Sequence, residues 1–257
     1  MTLSMAFAHT KALIPYITFG DPSVGDTLRI ADTCFESGAD ILEIGIPFSD
    51  PLADGPVIQA SHQRALASGE DVSLSAALDA VFQLKKKWKK PIVLMAATNL
   101  VLHGGIEAFF KQAKKAGLDG IIMPDLSIYD ADPYRVASRR CGVPIVFLIS
   151  PLCTPSRLKK IVSAAEGFIY VISSTGTTGT RKAFSHDLSA LIRRIKAIRS
   201  IPVAVGFGIG SRDHVNAVFR DADGAIVGSF IVDLLHQNPG KAGLKKLSDT
   251  LRDWKKA

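Results

Sequence analysis

The chain has 257 residues, 47% of them hydrophobic and 21% charged, with 31 Lys and Arg against 24 Asp and Glu for a formal net charge of +7. This length suits one large domain, residues 1–257, and the composition excludes a disordered chain. No apolar run reaches the ~18 residues of a membrane span. The first residues read as no signal peptide. Cys34, Cys141 and Cys153 are far apart and odd in number, so neither a disulfide framework nor a cysteine-rich zinc site is expected. A reducing cytoplasm is the simple reading.

In chain order, strands are predicted over residues 12–18, 41–45, 92–96, 120–123, 144–149, 167–172, 202–206 and 224–227. Amphipathic helices are predicted over 25–37, 73–88, 106–116, 132–140, 154–165, 186–198 and 212–219. A final stretch, 230–255, reads as a short helix and then a longer one. The strands are nearly all apolar, as parallel strands buried on both faces are. Eight of them, each followed by a helix, point to a closed (β/α)8 barrel, with a doubly wound open sheet as the alternative. Two βα connections are long, residues 47–56 and 173–182. In a barrel both lie on the C-terminal face, where active sites sit, and are candidate lids.

The positive charge is dispersed. Lys85-Lys86-Lys87, Lys114-Lys115 and Arg139-Arg140 close predicted helices, where cations suit the helix dipole, and no aromatic residues interleave with them. Anionic small molecules or plain solvation account for it better than nucleic acid does.

Glu43 interrupts the apolar run Ile41-Leu42-Glu43-Ile44-Gly45-Ile46 near a strand end. A buried carboxylate is costly unless paired or functional. Burial raises its pKa, which suits it to give and take a proton near neutral pH. The alternative is a structural carboxylate bonded to a neighbouring hydroxyl or amide. Asp54 and Asp50 lie in the loop that follows. Either could meet a developing positive N–H or serve as a turn residue, and spacing alone does not choose between them. Gly206-Phe207-Gly208-Ile209-Gly210-Ser211 and Gly228-Ser229 follow the last two strands, where barrels hold phosphates on backbone N–H groups and a helix N-terminus. The glycine spacing lacks the dinucleotide fingerprint. The six histidines form no ligand motif and read as surface or loop residues, so no metal is expected.

The run from Leu42 to Gln59, with Glu43-Ile44-Gly45-Ile46-Pro47-Phe48-Ser49-Asp50-Pro51-Leu52-Ala53-Asp54-Gly55-Pro56 at its centre, resembles the signature of the tryptophan synthase alpha chain family. Pro15-Tyr16-Ile17-Thr18, Gly20-Asp21-Pro22, Pro124-Asp125-Leu126, Thr178-Gly179, Gly206-Phe207-Gly208-Ile209 and Val227-Gly228-Ser229 extend the likeness over nearly the whole chain. The resemblance implies a barrel that cleaves indole-3-glycerol phosphate to indole and glyceraldehyde 3-phosphate without a cofactor of its own. Indole then passes to a beta chain carrying pyridoxal phosphate, in an α2β2 heterotetramer, for tryptophan biosynthesis.

By resemblance, Glu43 moves the protons, Asp54 stabilises the positive indole nitrogen, and Thr178 orients Asp54. Gly179, Gly208, Gly228 and Ser229 hold the phosphate. Tyr16 and Leu94 line the indole pocket, Asp125 belongs to the substrate-binding set, and Asp50 faces the beta chain. The family pattern is departed from at four places. Ala97 stands where Met-x-Tyr-x-Asn has tyrosine, Ser127 where a proline is usual, Ser174 where arginine is frequent, and Phe230 where a small residue follows Gly228-Ser229. These departures leave a second reading, a catalytically impaired alpha chain that acts mainly as an allosteric activator of the beta chain. A relative of indole-glycerol-phosphate synthase is more distant, because the 47–54 loop argues against it.

Overall fold

The computed structural model describes residues 3–8, 10–172, 186–206 and 208–256. Among them, nine parallel strands form one sheet: β1 (Ala12–Thr18), β2 (Leu42–Gly45), β3 (Ile92–Met95), β4 (Gly120–Ile122), β5 (Ile145–Val146), β6 (Leu148–Ile149), β7 (Ile169–Ile172), β8 (Val203–Gly206) and β9 (Gly224–Val227). Their order is β5-β4-β3-β2-β1-β9-β8-β7-β6. The two ends of that order, β5 and β6, are separated in the chain only by Phe147. The sheet therefore returns on itself as the expected eight-position barrel. The strand predicted over 144–149 is the one that divides: β5 pairs with β4 and β6 with β7.

Alternation along the strands separates two cores. Residues such as Ile14, Ile41, Val93, Ile122, Val146, Phe168 and Ile226 point inward and fill the barrel. Their neighbours Leu13, Leu42, Leu94, Ile121 and Val171 point outward and meet the helices. Such alternation is what a closed parallel sheet requires. A 3-10 helix, Ser4–Phe7, which has no periodic signal, plugs the bottom of the barrel. Its neighbour Leu3 and its own Ala6 join the interior cluster, and the Phe7 ring lies 5.4 Å from Phe168.

The helices are α1 (Val24–Glu36), α2 (Pro56–Ala67), α3 (Leu74–Lys87), α4 (Thr98–His103), α5 (Ile106–Ala116), α6 (Asp132–Cys141), α7 (Pro155–Ala164), α8 (His186–Ile198), α9 (Arg212–Phe219), α10 (Ser229–Gln237) and α11 (Lys241–Trp254). Sequence chemistry sets several ends. Ser23 and Ser73 cap α1 and α3 by accepting from Asp26 N and Ala76 N. Gly117 and Gly142 end α5 and α6 in the left-handed region, at φ 77° and 70°. Lys85–Lys87, Lys114–Lys115 and Arg139–Arg140 occupy last turns, as expected.

Helices α2 and α4 are additions to the predicted set. α4 has six residues, too few to show a period. α2 buries Ile58, Ser61, His62 and Ala65, and a face with two polar residues in four does not read as amphipathic. Cys34 and Cys141 are buried, as expected of small core residues. Among the described residues no helix is long and apolar enough to cross a membrane.

The N-terminal rim of the barrel repeats one device three times. Asp40 accepts from Leu13 N and Lys255 Nζ, at 2.7 and 2.6 Å. Asp119 accepts from Ile92 N and Lys85 Nζ, both at 2.8 Å. Asp223 accepts from Val203 N and Lys196 Nζ, both at 2.9 Å. Each aspartate stands just before a strand and satisfies an N–H at the start of the neighbouring one, so the edge of the sheet leaves no donor orphaned at these points.

Candidate active site

The opposite, C-terminal ends of the strands open into a cavity of about 390 Å³ lined by Tyr16, Glu43, Asp54, Met95, Tyr170, Gly208, Gly228 and Ser229, among others. Glu43 lies on β2 in register with Tyr16 of β1 and Val93 of β3. An inward position on this strand points at the barrel axis, and Glu43 is fully buried there. Neither carboxylate oxygen has a hydrogen-bond partner. The structural alternative, a carboxylate bonded to a nearby hydroxyl or amide, is thus not what the geometry shows. Desolvation, followed by the negative charge of Asp54, pushes the Glu43 pKa up to about 8. Burial alone raises Asp54 to about 6.

Two inward glycines make room for two tyrosines beside Glu43. A Cβ on Gly45 would collide with the Tyr16 hydroxyl, and one on Gly206 with the Tyr170 hydroxyl. Burial raises both phenol pKa values well above the usual range, so both rings stay protonated. Tyr170 and Met95 were not singled out from the sequence. Strand alternation is the signal that could have found them, since Phe168, Tyr170 and Ile172 share a face, as do Val93 and Met95.

The loop after β2 separates its two aspartates. Asp50 is exposed and accepts from Ser49 Oγ at 2.6 Å. Asp54 is half-buried in the cavity wall, its N–H bonded to Pro51 O at 3.0 Å and its carbonyl to Gln59 Nε2 at 2.8 Å. The fold therefore brings Asp54, and not Asp50, into the cavity with Glu43.

Gly208, at φ 76°, has nothing within 4 Å of an added Cβ, so its backbone is open to the cavity. Across from it α10 starts at Ser229, with Gly228 as its cap residue and no capping side chain. Ile231 N and Val232 N return to Gly228 O, while the first N–H groups of the helix find no partner within it. A phosphate fits such an end. Phe230 packs its ring on Trp254, with centroids 4.9 Å apart, and lines the cavity together with Gly228 and Ser229.

Other expected residues lie elsewhere. Leu94 is fully buried on the outward face of β3 among the helix-facing residues, and Met95 lines the cavity in its place. The reason is the two-residue period of a strand. Asp125 is exposed and accepts from Thr98 N and Oγ1, at 2.9 and 2.7 Å, which ties it to the start of α4. It lines a neighbouring cavity of about 290 Å³ with Asp50, Ala97 and His62. Tyr16, Asp54 and Met95 border both cavities. Ser127 accepts from Tyr129 N in a turn. Thr178, Gly179 and Ser174 lie outside the described residues.

His62 corrects the expectation that the histidines sit on the surface or in loops. It is 4% exposed on α2, because its ring fills the space between the β2 loop and Tyr16 and bonds to both.

A family model described as tryptophan synthase alpha chain matches residues 4–257. The tryptophan synthase alpha chain of Geobacter sulfurreducens is 41% identical over 227 residues, covering 88% of this chain and 85% of that one. That of Arabidopsis thaliana is 39% identical, covering 99% and 94%. A chain from the structure of the tryptophan synthase a2b2 complex of Pyrococcus furiosus superposes with a TM-score of 0.89 at 37% identity, covering 96% of this chain and 99% of that one. One from Mycobacterium tuberculosis tryptophan synthase gives 0.90 at 35%, covering 99% and 96%. The chain belongs to the tryptophan synthase alpha chain family.

Proposed function

We propose that this chain is a working lyase that cleaves indole-3-glycerol phosphate to indole and glyceraldehyde 3-phosphate. We further propose that it acts in the cytoplasm as one barrel unit and passes indole to a beta chain in an α2β2 assembly. The observation that carries the reading is Glu43, buried without a partner in the same cavity as Asp54 and the open backbone of Gly208, Gly228 and Ser229. With pKa values of about 8 and about 6, Glu43 starts as the acid and Asp54 as the anion at neutral pH. Two carboxyl groups held at different pKa values divide acid and base work.

The phosphate rests on the backbone N–H groups of Gly208 and of the α10 start, and the indole ring lies toward Tyr16 and Met95. Asp54 accepts from the indole N1–H. The Glu43 carboxyl delivers its proton to C3, and the positive charge that forms on N1 is balanced by the Asp54 carboxylate. The Glu43 carboxylate then takes the proton of the hydroxyl on the side-chain carbon attached to C3. That carbon becomes the aldehyde, the bond to C3 breaks, and its electron pair restores the C2–C3 double bond and the N1 lone pair. Glu43 is protonated again and indole is released. This chain contributes no cofactor to the step; pyridoxal phosphate belongs to the beta chain.

Three of the four departures from the family pattern fall among the described residues, and Glu43 and Asp54 share the cavity beside them. Phe230 lines the cavity that holds Glu43 and packs its ring on Trp254, Ser127 serves a turn, and Ala97 borders the second cavity and not the one that holds Glu43. The test is indole release from indole-3-glycerol phosphate, by the chain alone and with a beta chain. Release that is lost in Glu43→Gln and Asp54→Asn supports the reading. No release by the natural chain, with the beta reaction still stimulated, would make it an activator only.

A further inference from the structure

We propose that His62 is a positioning residue, a neutral clasp that holds the Asp54-bearing loop against Tyr16 and so sets Asp54 relative to Glu43. The inference rests on the roles given above to these two carboxyl groups.

The imidazole lies between two groups from different elements. Its Nδ1 accepts from Phe48 N–H at 3.3 Å, and its Nε2 lies 3.3 Å from the Tyr16 hydroxyl. A neutral ring that accepts at Nδ1 carries its proton at Nε2, so Nε2–H donates to the Tyr16 oxygen. Phe48 begins the loop that ends at Asp54, and His62 stands on α2, the helix that begins where the loop ends. The clasp therefore joins the start of the loop to its far side. Tyr16 faces Glu43 in register across the β1–β2 pair and borders both cavities. One ring thus couples the strand pair holding Glu43 to the loop carrying Asp54.

The charge around His62 matters, because a protonated ring would set an N–H against the Phe48 N–H. Burial holds the pKa of His62 below the ordinary histidine value. Tyr16 faces it from β1. Asp54 shares its cavity from the β2 loop, and Asp21 acts on it from the β1–α1 connection. Asp21 is itself held by Arg64 of α2, at 2.9 and 2.7 Å. α2 has anchors of its own besides His62: that Arg64–Asp21 pair, and Ser61 Oγ with Thr18 Oγ1 at 2.6 Å. The fold is therefore expected to survive replacement of His62.

The experiment compares His62→Leu, His62→Gln and Tyr16→Phe in steady-state cleavage of indole-3-glycerol phosphate, with ¹⁵N NMR of the histidine-labelled natural chain. The glutamine amide offers an acceptor and a donor at a separation close to that of the two ring nitrogens. His62→Leu is expected to lower kcat about 10- to 100-fold with KM changed less than about threefold, because a small displacement of a reacting group is costly. His62→Gln is expected to restore kcat to within about threefold of the natural chain. The effects of His62→Leu and Tyr16→Phe should be less than additive in the double variant. The NMR spectrum should show the His62 proton on Nε2, an outcome independent of turnover and of whether any variant folds. A proton on Nδ1 overturns the clasp. An unchanged kcat in His62→Leu, or a raised KM at unchanged kcat, overturns its positioning role. No indole from the natural chain would instead overturn the proposed function, and with it the clasp's part in turnover, while the tautomer would still be read.

Discussion

Carboxylates at the two rims of the barrel meet opposite surroundings in two places. At the N-terminal rim Asp40, Asp119 and Asp223 each accept from a strand N–H and a lysine, so their charge is balanced and their hydrogen bonds are met. At the C-terminal rim Glu43 is buried with both oxygens bare, and the charge that acts on it is a like charge, Asp54. The first arrangement stabilises the fold. The second costs stability and leaves a proton poised to move. On the proposed function the same side-chain chemistry serves structure at one end and reaction at the other, and the difference lies in the partners supplied.

The largest expected effect is on turnover. Glu43→Gln should lower kcat by about 10³-fold or more, since general acid and base work is lost together, and this is checked by indole release. The pH profile comes next. The kcat/KM for cleavage should rise as Asp54 ionises near pH 6 and fall as Glu43 loses its proton near pH 8, giving an optimum between the two. A flat profile across that range would erase the contrast between the rims.

Stability sharpens the comparison further. Glu43 keeps its proton in the folded chain up to about pH 8, whereas an unfolded chain sheds it near 4.5. The folded state therefore binds more protons across that window, and the stability of the natural chain falls as pH rises through it, by at most about 1.4 kcal/mol per pH unit from this group. Glu43→Gln removes the slope and should gain stability over the natural chain as pH rises from 4.5 to 8, which denaturant titrations at several pH values would show. At the other rim Asp119→Ala leaves the Ile92 N–H without its acceptor and Lys85 with only the Lys90 carbonyl. It should cost about 1–3 kcal/mol in the same titrations, with kcat unchanged. The smallest effect belongs to the exposed Asp26–Arg29 pair, whose loss by Arg29→Ala should cost under about 0.5 kcal/mol.

Much of this was legible in the sequence. The strands announce themselves because both faces are apolar, and most helices because their apolar residues recur at the helical period. Glu43 stood out as an acid inside an apolar run. Other features depend on what the chain meets after folding. α2 hides because its buried face carries Ser61 and His62, which find partners in Thr18, Phe48 and Tyr16 rather than in an apolar core. The choice between Asp50 and Asp54 rests on which one the loop turns into the cavity. Leu94 and Met95 are neighbours in one strand, and only the register of the closed sheet decides which of them faces inward. Tyr170 reads as a core residue until Gly206, on the adjoining strand β8, is seen to make room for its hydroxyl.

The most direct test of the contrast is a ¹³C NMR titration of the Glu43 side-chain carboxyl, in the natural chain and in Asp54→Asn. The expected midpoint is about pH 8 in the natural chain, moving to lower pH once the Asp54 charge is gone. A midpoint near 4.5 in both would mean that Glu43 is as well served by its surroundings as the aspartates of the opposite rim, and the assignment of Glu43 as the resident acid would fall.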